Sequence, residues 1–89
     1  MANVELAAVE NAIRICKEAI QDMNSSAQTL RQSYQQAGQS FKDQKYHQLG
    51  AIVNACESEI RKPVNELFDC INKLESLAKA IREYDETNV

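Results

Sequence analysis

Apolar side chains recur every three or four residues along almost the whole chain, and this spacing sets what the chain can fold into. The first ladder of such positions is Leu6, Val9, Ile13, Cys16, Ile20, Met23, Ala27, Leu30, Tyr34 and Ala37. A repeat of about 3.5 residues held over several heptads is typical of a long helix that packs along a narrow seam. The spacing predicts a first helix over about residues 3–37.

A second ladder begins after a break and is out of phase with the first. Its positions are Tyr46, Leu49, Val53, Cys56, Ile60, Pro63, Leu67, Cys70, Leu74, Leu77, Ile81 and Tyr84. None is charged, which predicts a second helix over about residues 43–85. Pro63 could kink this helix or divide it into two. We expect a kink near Pro63, because the ladder passes through it without a change of phase.

The segment between the ladders carries the signals of one helix ending and another beginning. Gly38 suits the left-handed residue that often follows a helix, and Ser40 can cap the next helix with Asp43 at its third position. Phe41 completes this turn motif. We therefore predict a turn over about residues 38–42. The predicted fold is all-α, with two long antiparallel helices forming a helical hairpin in a single domain 1–89.

Apolar residues beside the ladders predict that the hairpin associates. Two helices cover each other along one stripe only, and ordering the chain costs about 1.5 kcal/mol per residue, so the balance lies near zero. The expected partner interface is Ile15, Val64, Phe68 and Ile71. The predicted partner is another helical hairpin, and the product is a homodimeric or heterodimeric four-helix bundle. Alternatively, these residues widen the intramolecular core.

The titratable residues form no pattern that predicts catalysis or metal binding. His47 is the only histidine, and the three cysteines, Cys16, Cys56 and Cys70, lack metal-ligand spacing. We expect these thiols to be buried and structural. The formal net charge is −3 and the cations are scattered, which argues against a nucleic-acid partner. We therefore predict no enzyme activity, no cofactor and no metal.

Neither a secretory leader nor a membrane span is predicted. The N-terminal segment contains Glu5 and Glu10, and no run approaches the ~20 apolar residues of a membrane span. We expect a protein that is made in the cytoplasm and whose export, if it occurs, uses a route without a cleaved signal.

Phe41-Lys42-Asp43 stands at the predicted tip, and Tyr46 and Leu49 follow Phe41 at five and eight positions. In these residues and in length, the chain resembles the WXG-type small helical hairpins associated with type VII secretion in Gram-positive bacteria. That family carries a Trp-x-Gly motif at the tip, where this chain has Phe and Asp. Tyr84 and Asn88 are similar to its Tyr-x-x-x-Asp/Glu export signal, with Asn in place of the acid.

The resemblance implies a role in secretion. The protein would be a small secreted substrate, or a targeting partner or chaperone that co-folds with the helical N-terminal region of a larger secreted toxin. In the family that the chain resembles, proteins that lack a complete export signal often act as such targeting partners. From the residues alone, a cytoplasmic homodimeric helical-bundle adaptor or regulator stays open, as does a phage or immunity protein that binds a toxin.

Overall fold

Two long α-helices make up the structure. The computed structural model describes residues 3–40 and 43–87, without the side chains of residues 39, 40 and 87. Helix α1 spans Val4–Ser40 and helix α2 spans Gln44–Thr87, and no strand occurs in the described ranges. The predicted all-α helical hairpin is therefore confirmed. Over these same ranges, neither helix has a stretch long and apolar enough to cross a membrane.

The chain divides into two compact units, and each helix contributes to both. The terminal unit consists of Met1–Ile20 and Asn65–Val89, and the tip unit consists of Gln21–Val64. Their charges differ in sign. The terminal unit has nine carboxylates and five cations, a formal net charge of −4, whereas the tip unit has four carboxylates and five cations, a net charge of +1.

Cross-helix pairs show that the helices run antiparallel within each unit. In the terminal unit the pairs are Glu10 with Arg82 and Lys17 with Glu75. In the tip unit the pairs are Arg31 with Glu57 and Tyr34 with Tyr46. In both units the partner's number on α2 falls as the residue number on α1 rises, which is the relation that an antiparallel hairpin requires.

Each helix begins at a side chain that caps its backbone. Oδ1 of Asn3 accepts the backbone N–H of Leu6 over 2.7 Å. Oδ1 of Asp43 accepts the backbone N–H of Tyr46 over 3.1 Å. Such N-cap contacts stabilise a helix by about 1 kcal/mol. Asp43 is thus the cap of α2, in place of Ser40, which is the last residue of α1.

Gly38 lies inside α1 rather than at its end. The helix continues to Ser40, and no described residue has a positive φ, so the predicted left-handed helix end at Gly38 is wrong. Gly38 is buried because Tyr46 lies over it. A Cβ at Gly38 would come 2.6 Å from Cζ of Tyr46, closer than a side chain allows. Phe41, the remaining residue of the turn motif, lies outside the described residues.

The inner face of α1 is the one that the sequence predicts. Every position of the first ladder is buried or half-buried. Ile20 and Ala27 are the most deeply buried of them. Burial along this single stripe is what a heptad spacing produces when a helix packs against one neighbour.

The inner face of α2 agrees with the predicted stripe at most positions and departs from it at others. The shared positions are all buried or half-buried: Tyr46, Leu49, Val53, Ile60, Leu67, Leu74 and Ile81. Between them the inward positions are Glu57, Val64, Ile71 and Ala78, each one residue later than predicted. Of the remaining predicted positions, Pro63 is half-buried, and Cys56, Cys70, Leu77 and Tyr84 are exposed. The two stripes have the same spacing, so spacing alone does not distinguish them. The predicted stripe has no charged position, whereas the observed one includes Glu57.

Two further expectations concern α2. The helix is a single element through Pro63, which agrees with the prediction of one second helix. A kink at Pro63 stays a prediction. The expected burial of the thiols is wrong for Cys56 and Cys70, which are exposed, while Cys16 is half-buried; all three thiols are free.

Candidate interaction surface

The predicted partner interface separates into core and surface residues. Val64 and Ile71 are 7% and 5% exposed, so they belong to the cores of their units and offer no docking area. Ile15 and Phe68 are each 51% exposed. The assignment of Val64 and Ile71 to an outward face is therefore corrected, because the inner stripe of α2 passes through them. Ile15 and Phe68 stay available to a partner.

Several large apolar side chains are exposed in the described part of the terminal unit. Its core is built on the buried Ile20, Ile71 and Ala78 and on the half-buried Leu6, Val9, Ile13, Cys16, Leu67, Leu74 and Ile81. The exposed ones are Val4, Ile15, Phe68, Leu77 and Tyr84. Scattered apolar residues are normal on protein surfaces. Here, however, five large side chains among the described residues are exposed beside the core, so part of the apolar surface of this unit stays in contact with water.

One residue of the predicted export signal lies at this surface. Tyr84 is 70% exposed near the end of α2. Asn88, the second residue of the signal, lies outside the described residues. The exposure of Tyr84 leaves its ring accessible to a binding protein.

A charged pair occupies the helix seam in the tip unit. Nε of Arg31 donates to Oε1 of Glu57 over 2.7 Å, and Nη2 of Arg31 donates to Oδ1 of Asn54 over 2.8 Å. The Glu57 side chain is 13% exposed and the Arg31 side chain 39%. Glu57 takes an inward position on α2, and the guanidinium from α1 supplies the charge partner that such a position requires.

The contact between Arg31 and Glu57 changes the proton affinity of both groups. The hydrogen bond from Arg31 lowers the pKa of Glu57, and the positive charges of Arg31 and Arg61 act in the same direction. The same hydrogen bond raises the pKa of Arg31. Both groups are therefore held in their charged forms around neutral pH, and Arg61 lies close enough to contribute to the field at Glu57.

This pair borders a polar groove of about 500 Å³ within the tip unit. The groove is lined by Asn24, Ala27, Gln28, Arg31, Gln32, Gln35, Glu57 and Arg61. Seven of these eight side chains are polar or charged, so a polar group in the groove would find hydrogen-bond partners on its walls. Its walls offer amide donors and acceptors together with the guanidinium groups of Arg31 and Arg61.

Two tyrosines and two glycines interlock elsewhere in the tip unit. The rings of Tyr34 and Tyr46 stack with centroids 4.4 Å apart and planes 13° apart. Tyr34 covers Gly50 as Tyr46 covers Gly38. A hydrogen bond with Tyr34 raises the pKa of Tyr46, and burial adds to the rise. This cluster fixes the register of the two helices, and its rings are occupied within the hairpin.

The described residues hold no metal-binding cluster of histidine, cysteine and carboxylate side chains. No family model matches the sequence, and comparisons with curated proteins and with solved structures gave no match. The features that bear on function are therefore the hairpin fold, the exposed apolar side chains and the groove.

The groove residues were not among the predicted site residues. The sequence carries one signal of them, because Arg31 is the single charge in residues 24–40. Its partner Glu57 follows 26 positions later, on the other helix. Nothing in the local pattern links the two, so only the pairing of the helices brings them together.

Proposed function

We propose that this chain is a WXG-like protein associated with type VII secretion that works by pairing with another helical hairpin. It is either a small secreted substrate or a targeting partner that co-folds with the helical N-terminal region of a larger secreted toxin. The hairpin fold and the residues at its tip and C-terminal end support this proposal, and the mechanism it needs is recognition between helices.

The observation that carries the proposal is the set of large apolar side chains that the terminal unit leaves exposed. Phe68 and Ile15 are half exposed there. Fully burying a side chain of this size contributes about 1.5–3 kcal/mol, and about half of that remains to be gained at half exposure. A partner helix would cover this surface.

Light scattering and circular dichroism of the purified chain test the pairing. We expect an oligomer at micromolar concentration, and we expect Phe68→Asp to abolish it while most of the helicity is kept. Asn72→Asp is the matched control, because it adds the same charge one turn away without removing an apolar side chain. A heat-resistant monomer with no hairpin partner, or global unfolding of Phe68→Asp, would count against the proposal.

Export tests the secretion role. The tagged chain is expressed in a Gram-positive host with a working type VII system and in the same host without its secretion ATPase. For a substrate, we expect the chain in the medium of the first host only. Tyr84→Ala removes it from the medium, whereas Asn88→Asp completes the signal and increases it.

For a targeting partner, the chain instead forms a complex with the helical region of a toxin encoded beside it. That complex is measured by mixing the two proteins and determining their mass. The secretion role would be rejected if the chain stays inside the cell, binds no such region and forms only a stable homodimer. This result would favour the cytoplasmic adaptor instead.

A further inference from the structure

The groove of the tip unit contains a guanidinium that the hairpin leaves unneutralised. Arg31 is engaged by Glu57 and Asn54. Arg61 lines the same groove, is exposed and acts on Glu57 only through its charge, since no carboxylate of the described residues lies within 4.0 Å of it. With one carboxylate against two guanidiniums, the groove keeps a net positive charge.

The remaining walls of the groove favour a side chain rather than a bare ion. Asn24, Gln28, Gln32 and Gln35 lie along one side of α1 at roughly one-turn intervals. Their amides provide uncharged donors and acceptors without competing charges. A carboxylate from a helix laid along this row could bind Arg61 while its neighbours meet the amides, which combines charge with extended polar contact.

The terminal unit supplies carboxylates of this kind. Glu66 and Asp69 lie one turn apart on α2 and are both exposed. Neither has a cation within 4.0 Å among the residues that the structure describes. The two units also have opposite net charges, −4 and +1. The terminal unit of one molecule and the tip unit of another are therefore electrostatically complementary.

We propose that the groove binds a carboxylate from the turn containing Glu66 and Asp69 of a second copy of this chain, with Arg61 as the recognition residue. The proposal rests on the hairpin association proposed above and specifies its partner and its polar contact. Each copy has both the groove and the carboxylates, so the contact can form twice in a symmetric dimer. Charged contacts of this type select the partner and the register more than they add affinity.

Sedimentation equilibrium of charge variants tests this contact. We expect Arg61→Glu to weaken self-association about tenfold or more, since it replaces attraction by repulsion at each contact. Lys62→Glu is the matched control: it makes the same charge change at the next residue, which does not line the groove and pairs with Glu59. We expect Lys62→Glu to have little effect on self-association. We also expect the self-association of the wild type to weaken when the salt concentration is raised from about 0.05 M to about 0.5 M.

A charge exchange between two chains gives the sharpest result. We expect the double variant Glu66→Lys and Asp69→Lys to associate as poorly as Arg61→Glu. An equimolar mixture of the two variants should form a heterodimer. One of its two contacts has the native charges. In the other contact both partners have changed sign, so the attraction is kept. Circular dichroism confirms that each variant is folded, and Arg61→Gln repeats the test without a new charge.

Three results would overturn the proposal. These are equal effects of Arg61→Glu and Lys62→Glu, a mixture that does not associate, and a wild-type chain that stays monomeric. In the last case the toxin-binding and export experiments still decide the secretion role, since a chain that pairs only with a toxin region keeps that role and loses the homodimer.

Discussion

Gly50 on α2 lies directly beneath the ring of Tyr34 on α1. A Cβ at Gly50 would come 2.6 Å from the Tyr34 hydroxyl oxygen and 3.0 Å from Cζ. The ring has little room to withdraw, because it stacks on Tyr46 at 4.4 Å. Gly50 is helical and has no positive φ, so it is needed for close approach of the helices and not for backbone freedom.

The first prediction follows from this contact. In an open helix, Gly50→Ala would stabilise by about 1 kcal/mol through helix propensity. Against Tyr34, we expect the overlap, worth about 1–3 kcal/mol, to exceed that gain and lower the free energy of unfolding. In a Tyr34→Ala background the sign should reverse. Urea denaturation of the four chains measures both effects, and a stabilising Gly50→Ala in the wild-type background would contradict the prediction.

The second prediction concerns acid stability. Since folding lowers the pKa of Glu57, this residue contributes stability that is complete above its ordinary pKa of about 4.5 and is lost as the pH falls towards the lowered value. We expect Glu57→Gln to reduce stability at neutral pH and to flatten its fall between about pH 5 and pH 3.

Thermal unfolding as a function of pH measures this effect. Glu59→Gln is the control, because its carboxylate pairs with Lys62 at the surface with 71% of its side chain exposed. If the two variants had the same pH profile, the contact between Arg31 and Glu57 would not be the source of the acid sensitivity.

The third prediction tests which stripe of α2 faces inward. Ile71→Ala should cost about 2–5 kcal/mol, because Ile71 is 5% exposed in the core of the terminal unit. Cys70→Ala should change the free energy of unfolding by less than about 0.5 kcal/mol, because Cys70 is exposed. Chemical denaturation of both variants measures the difference. A larger loss for Cys70→Ala would favour the stripe through Cys56, Cys70 and Leu77.

The fourth prediction uses the thiols as probes of the same stripe. Cys56 and Cys70 are exposed and Cys16 is half-buried. We expect a thiol reagent to modify Cys56 and Cys70 at rates close to those of the unfolded chain and Cys16 more slowly. Mass spectrometry of peptides after timed alkylation assigns each rate. Fastest modification of Cys16 would contradict the structure.

The spacing of apolar residues was sufficient to predict much of the fold. It predicted two long helices in a hairpin, and it identified the whole inner stripe of α1 from Leu6 to Ala37. It also identified the shared inner positions of α2, such as Val53 and Leu67. These features are local, since a heptad repeat defines one face of a helix wherever its partner lies.

The sequence alone did not decide which neighbouring stripe of α2 completes the seam, nor where the groove forms. Both stripes have the same spacing, and a charge at Glu57 argued against the correct one. Only the tertiary structure places Arg31 against Glu57 and so makes a charge acceptable at an inward position. The tertiary structure also explains Gly38, which was expected to end a helix. The Tyr46 ring packs over Gly38 and occupies the space that a Cβ would need. Such contacts join residues far apart in the chain, and no local pattern encodes them.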